Sequence, residues 1–129
     1  MNYELVIKEH HLDTFGHVNN AVYLQLFEEA RWEFITNRGY GLKEVVKFQK
    51  GPVILEANIK FLKELKLRET VSITFEALPA KGRIIQIKQQ MIKSNGEVSS
   101  ELIVTIGFFD LIERKLIAPS VEWLKVLHV

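Results

Sequence analysis

The chain has 129 residues, 47% hydrophobic and 26% charged, with a formal net charge of +1 and no cysteine. That is enough sequence for one domain over 1–129 with a real core. The near-neutral charge speaks against general nucleic-acid binding, and the missing cysteines exclude disulfides, thiol nucleophiles and thiolate metal sites.

The opening stretch MNYELVIKEHH has no apolar run of the kind a signal peptide needs. No segment approaches the roughly 20 apolar residues that span a bilayer. A cytoplasmic protein without membrane insertion is expected. From Tyr3 to His10, Tyr3, Leu5 and Ile7 alternate loosely with Glu4, Val6 and Lys8, which predicts a first strand. His10 and His11 would then point to opposite faces, so no metal site is expected beside Asp13 and His17.

Leu12–Asn20 is a polar loop containing Asp13, Gly16, His17, Asn19 and Asn20. Val22, Tyr23, Leu26, Phe27, Ala30 and Phe34 follow at spacings of three and four, which predicts a helix over 20–36, capped by Asn19 or Asn20. Its first turns are apolar nearly all round, Gln25 excepted; a thick core and a partner subunit both account for this. Arg38-Gly39 and Gly41 end it.

Leu42–Phe48 reads as a short helical turn, with Gly51-Pro52 as punctuation after it. Val53, Leu55, Ala57, Ile59 and Phe61 then share one face of a strand over 53–62. A charged connection over 63–69 leads to a half-buried strand carrying Val71, Ile73 and Phe75. After a turn over 79–83, a strand over 84–93 puts Ile85, Ile87, Gln89 and Met91 on one face. Asn95-Gly96 is the strongest hairpin signal in the chain and introduces a long strand over 98–111. Pro119 opens a last helix over 120–127. One buried helix followed by hairpin-connected strands implies an α+β fold, an antiparallel sheet curled round that helix.

No GxGxxG, P-loop or serine elbow is present. Asp13 just ahead of a buried helix start offers a different device. Unsatisfied N–H groups at a helix N-terminus polarise a carbonyl and stabilise an oxyanion. A nearby carboxylate serves as general base or as nucleophile. The competing reading has Asp13 closing a turn and His17 bonding a backbone carbonyl. The basic run Lys60, Lys63, Lys66 and Arg68 reads either as solvated surface or as a site for an anionic ligand.

The stretch D-x-x-G-H-V-N-N-x-x-Y-L-x-x-F-E-x-A-R, Asp13 to Arg31, resembles the hotdog-fold acyl-CoA thioesterases of the 4-hydroxybenzoyl-CoA thioesterase-like family. Ala57–Phe61, Leu67–Val71 and Ile103–Asp110 are similar to its later strands, so the likeness spans nearly the whole chain. Lys8, His11 and Arg68-Glu69 depart from its pattern, which carries an Arg, an acid and a Gly-Asp there. The resemblance implies a hotdog fold, a five-stranded antiparallel sheet wrapped round one long central helix. It implies a homodimer with joined sheets, in some members a homotetramer, with sites between subunits.

The activity it implies is hydrolysis of an acyl-CoA or acyl-carrier-protein thioester, coenzyme A being part of the substrate and no cofactor being needed. Asp13 matches the catalytic aspartate. The N–H of Tyr23, or one nearby in the first helical turn, would hold the thioester oxygen. Gly16 would let the loop approach closely, Asn19 and His17 would fix loop and substrate, and His17 stands as an alternative general acid. Phe15, Val18 and Phe27 would contact the acyl part, and Lys60, Lys63 and Arg68 the CoA phosphates. Glu28 and Arg31 would form an ion pair along the helix. The alternatives are a non-catalytic acyl-CoA or acyl-carrier-protein binding protein and a hotdog dehydratase or hydratase using His17.

Overall fold

A computed structural model describes residues 2–127 of the chain. In order, the elements are β1 (Tyr3–Val6), a 3-10 turn (Glu9–His11), α1 (Asn20–Asn37), α2 (Leu42–Phe48), β2 (Lys50–Phe61), β3 (Thr70–Ile73), β4 (Glu76–Ala77), β5 (Ile85–Lys93), β6 (Val98–Asp110), β7 (Lys115–Ile117) and α3 (Val121–Leu127). The strands pair antiparallel in the order β1-β3-β5-β6-β2. β4 resumes the β3 side of β5 after a break at Thr74–Phe75, and β7 takes the side of β6 left free beyond Ile106. The sheet is therefore five strands wide, and α1 lies against its inner face, as the hotdog resemblance implies.

Strand alternation decides which residues meet the helix. Ile85, Ile87, Gln89 and Met91 of β5 and Leu102, Val104, Ile106 and Phe108 of β6 are buried on the inner face. Tyr23, Leu26, Phe27, Ala30, Phe34 and Ile35 of α1 are buried with them. Full burial of such a side chain contributes about 1.5–3 kcal/mol, so this contact carries much of the stability. Gln89, the polar member, is bonded at both ends: Nε2 donates to the Phe27 carbonyl (3.1 Å) and Oε1 accepts from Arg31 Nη1 (3.0 Å). At the far end, Trp123 of α3 packs against Tyr40 and Phe108, with ring centroids 5.6 and 6.0 Å away. Among the described residues no helix is long and apolar enough to cross a membrane.

The structure corrects the expected strands at their ends. β1 stops at Val6, and His10 and His11 lie in the 3-10 turn with ring centroids 4.1 Å apart, not on opposite faces. The cause is local: His11 Nδ1 accepts the Lys8 N–H at 2.9 Å and closes the turn.

β2 begins at Lys50, so Gly51-Pro52 lies inside the strand. β2 is an edge strand, where the missing N–H of proline interrupts no ladder. A bulge between Ile54 and Glu56 then resets the alternation. Pro52 and Ile54 sit opposite the inward-facing Phe108 and Ile106, and beyond the bulge Ala57, Ile59 and Phe61 take over the inner face. Val53 and Leu55 consequently do not share the face of Ala57, as simple alternation predicts.

Candidate active site

Asp13 closes the loop ahead of α1 on itself. Its N–H donates to the His17 carbonyl (2.8 Å), and its carbonyl accepts from Gly16 N–H (3.1 Å). Its Oδ1 accepts from the N–H groups of Phe15 (2.9 Å) and His17 (3.2 Å). No donor among the described residues meets Oδ2. Gly16 supplies the left-handed corner at φ +77°, a conformation costly for any residue with a Cβ. Asn19 is the cap: its Oδ1 accepts from Ala21 N–H at 2.9 Å. The turn-forming reading of Asp13 therefore holds for one carboxylate oxygen and leaves the other free.

Of the expected thioester donors, Tyr23 N–H or one nearby in the first turn, the hydrogen bonds of α1 leave only the nearby one. Its N–H donates to the Asn19 carbonyl at 3.2 Å, as the Val22 N–H does at 2.9 Å, and the Ala21 N–H is taken by the cap. The Tyr23 N–H is thus spent inside the helix. In the first turn of α1 the donor left without a partner among the described residues is the Asn20 N–H, an orphan of the kind every helix start carries.

Asn20 opens onto a cleft of about 320 Å³ whose other walls are His17, Val18 and Tyr23 from the loop and α1, and Phe61, Leu62, Lys63 and Glu64 from the end of β2. The cleft is amphipathic. Tyr23 and Phe61 meet edge to face, centroids 5.1 Å apart, and burial pushes the Tyr23 phenol up from its ordinary pKa, so it stays neutral. Opposite them, His17 Nε2 lies 3.1 Å from Glu64 Oε1, with both side chains more than half exposed. His17 thus turns to a carboxylate and not to a backbone carbonyl. Asp13 stands one hydrogen bond behind this wall, through the His17 N–H.

Of the residues singled out in the sequence, His17, Val18, Tyr23 and Lys63 meet at the cleft, with Asp13, Gly16 and Asn19 building the loop behind it. Phe27 does not line it: the side chain is 0% exposed in the core. Phe15 is the opposite case, 83% exposed, and forms no slot with the strands of its own chain. The basic residues do not converge. Lys60 lies with Glu56, Asn58, Gln86 and Glu101 on the outer side of the sheet, and Arg68 is paired with Glu9 through both carboxylate oxygens. Only Lys63 of that set reaches the cleft. Nor do Glu28 and Arg31 pair along the helix, since Arg31 donates to Gln89.

Sequence reasoning missed Phe61, Leu62 and Glu64 as site residues. The register of Phe61 with Tyr23 is a tertiary fact that no local pattern carries. Asn20 had a signal in its place at the helix start, overshadowed by its use as a candidate cap.

A model of the thioesterase-like superfamily matches residues 7–126. The chain belongs to the thioesterase-like superfamily. It is 27% identical to the long-chain acyl-CoA thioesterase FadM of Escherichia coli K12 over 123 residues, 95% of this chain and 92% of that one. The crystal structure of YbaW, a probable thioesterase from Escherichia coli, superposes with a TM-score of 0.87 at 26% identity and covers 98% of both chains. SAV2348 from Staphylococcus aureus, solved in complex with CoA, shares the fold with a TM-score of 0.91 at 18% identity over 97% of this chain and 79% of that one. The membership and fold implied by the Asp13–Arg31 motif are thus met, and the chain is a thioester hydrolase of the hotdog type.

Proposed function

We propose that this thioesterase hydrolyses an acyl-CoA at the cleft beside the start of α1, with Asp13 as its base. The observation that carries the reading is the unspent Asn20 N–H on the wall of a cleft whose loop is tied to Asp13. The thioester carbonyl oxygen takes the Asn20 N–H, at the positive end of the α1 dipole, where developing negative charge is stabilised. Oδ2 of Asp13 takes a proton from water as the water oxygen bonds to the carbonyl carbon. The tetrahedral oxyanion collapses, the C–S bond breaks with its electron pair leaving on sulfur, and the proton held by Asp13 passes to the thiolate. The products are a free acid and CoA thiol, and the reaction consumes only water, with no cofactor. In the variant route Asp13 attacks the carbonyl directly and water cleaves the resulting anhydride.

In this reading His17 orients the loop and meets the substrate with Val18, and Lys63, which pairs with Glu97 at 3.6 Å, exchanges that partner for a CoA phosphate. The long-chain acyl-CoA named for FadM and the CoA held by SAV2348 support this substrate class. The acyl-acyl carrier protein thioesterase ATL3 of Arabidopsis thaliana, 38% identical over 49% of this chain and 33% of its own length, keeps a carrier-protein thioester as an alternative donor.

A homodimer is part of the reading. Among the described residues β2 leaves an edge of 12 residues unpaired, flanked by exposed Ile54, Leu55, Phe61 and Leu62, a surface that soluble proteins cover. Pairing two such edges covers it. The polar outer face around Glu56, Asn58, Lys60 and Glu101 gives no comparable drive to a tetramer.

The His17–Glu64 contact favours one second reading, a hydratase in which that pair moves the proton. A screen of acyl-CoA chain lengths for thiol release, with enoyl-CoA hydration assayed alongside, tests both. Thiol release without hydration supports the thioesterase. Hydration without thiol release overturns it, and tight acyl-CoA binding with neither reaction makes the chain a binding protein.

A further inference from the structure

The cleft wall opposite the Asp13 loop is irregular chain. β2 leaves its ladder at the Phe61–Ser100 pair, and Leu62, Lys63 and Glu64 follow beyond the strand end. Irregular backbone must find its hydrogen bonds elsewhere, and here it finds them on the β5–β6 hairpin. The N–H groups of Leu62 and Lys63 donate to the Ser99 carbonyl at 2.8 and 3.0 Å. The Lys63 carbonyl accepts from Ser99 Oγ at 2.7 Å, and the Glu64 carbonyl accepts from Lys93 Nζ at 3.0 Å. Lys63 is therefore held by its own N–H, its own carbonyl and the carbonyl after it.

Lys93 is well placed to hold. It is the last residue of β5, and the Asn95-Gly96 turn fixes its backbone: its N–H donates to the Glu97 carbonyl (2.8 Å) and its carbonyl accepts from Gly96 N–H (2.9 Å). Its ammonium lies 3.4 Å from Glu69 Oε1, with the two side chains only 13% and 17% exposed. Glu69 Oε2 accepts the Lys66 N–H at 3.0 Å. The connection from β2 to β3 is thus tied to one ion pair at Glu64, at Lys66 and at Glu69. Desolvation offsets much of the attraction in such a sheltered pair, so fixed geometry is its main product. Lys93 stands behind the cleft and does not line it. The side chain of Lys63, by contrast, is 58% exposed on a flexible stem, and is only as well aimed as the backbone that carries it.

We propose that Lys93 and Ser99, with Glu69 bracing Lys93, are positioning residues of this thioesterase: they fix the wall at Leu62–Glu64 so that the Lys63 ammonium meets the phosphates of CoA. The proposal rests on the reading that Lys63 takes a CoA phosphate, and it names the groups that aim that cation.

The test compares KM and kcat for one acyl group carried on CoA and on pantetheine, which has the thiol but no phosphate. The full chain is assayed as wild type, Lys63→Ala, Lys93→Met, Lys93→Arg and Glu69→Leu. Lys63→Ala, Lys93→Met and Glu69→Leu each raise KM for the acyl-CoA about 10-fold and keep kcat within about 2-fold, the signature of lost binding that ground and transition states share. KM for the acyl-pantetheine stays within about 2-fold in all of them. Lys93→Arg restores KM for the acyl-CoA, because a guanidinium serves the Glu64 carbonyl and the Glu69 carboxylate together. Glu69→Leu separates aim from bulk charge: removing an anion favours an anionic substrate through space, whereas loss of aim weakens it.

An unchanged or lowered KM for acyl-CoA in folded Glu69→Leu overturns the proposal, and so does an equal rise for both thioesters. A wild-type KM in Lys63→Ala overturns the role of Lys63 and the proposal with it. A raised KM there beside a wild-type KM in Lys93→Met overturns the proposal alone. Near-UV circular dichroism reports folding. If the Lys93 and Glu69 variants unfold, Ser99→Ala decides, since it removes one bond to Lys63 and no charge; a wild-type KM in it overturns the proposal. If wild type turns over no thioester, titration calorimetry with CoA reads the same series. Weaker CoA binding across it removes the proposed activity and leaves the positioning role standing, and unchanged binding overturns that role.

Discussion

At Asp13 one carboxylate oxygen is committed to the chain and the other is not, and the two halves of its role separate by substitution. Asn keeps an oxygen at Oδ1 for the N–H groups of Phe15 and His17; Ala keeps none. Asp13→Ala is therefore expected to destabilise the protein by about 1 kcal/mol for the two lost bonds, since water reaches the exposed donors, and Asp13→Asn by less, as read by urea unfolding.

Tyr3 gives a pH-dependent case. Its OH donates to Glu29 Oε2 at 2.6 Å, and that bond, then burial, pushes its pKa up to about 12 from an ordinary value of 10.0. Between those two pH values the unfolded chain releases this proton and the folded chain keeps it, so stability falls as pH rises. The contribution is whole below pH 10 and gone above pH 12. Tyr3→Phe is expected to flatten the decline over this window in urea unfolding; an equally steep decline in the variant contradicts the assignment.

At this scale the sequence showed most of the loop, since Asp13, Gly16 and Asn19 act on neighbours within a few residues, whereas the His17 side chain turns to the distant Glu64. It misplaced Phe27, because helical spacing identifies a buried side without telling core from cleft. Of the two expected oxyanion donors, the Tyr23 N–H is consumed by an ordinary helical bond, and a neighbour in the first turn is left.

α1 is held to the sheet by apolar burial and by the Gln89 contacts to Phe27 and Arg31. Phe27→Ala is expected to cost about 3–5 kcal/mol in chemical denaturation, the range for emptying a buried aromatic site. A loss below about 1 kcal/mol would place Phe27 in a cavity that a ligand fills, restoring the sequence-based reading. Element by element, the strongest local signals told most. The 3.6-residue period of α1, the alternation of β5 and the Asn95-Gly96 turn all appear where the pattern puts them, with Gly96 at φ +89°. The β2 bulge and the short β4 and β7 carry no such signal. A single inserted residue flips the alternation without changing composition, and strands of two or three residues are too short to show a period. Pro52 argued against a strand only so long as its edge position was unknown.

For the whole molecule, the proposed dimer would link association to chemistry, because the end of β2 that walls the cleft lies on the strand edge that pairing would cover. If the folded state pairs and the unfolded state does not, the thermal midpoint must rise with protein concentration. Calorimetry over a 100-fold range, on the order needed to resolve a shift of a few degrees, is expected to show that rise; a constant midpoint argues against the dimer. Whether Asp13 drives hydrolysis is read from kcat for thiol release from the preferred acyl-CoA in wild type and Asp13→Asn. Asp13→Asn is expected to lower it about 10²–10⁴-fold while keeping the wild-type near-UV circular dichroism. Wild-type turnover in that folded variant would contradict the role of Asp13.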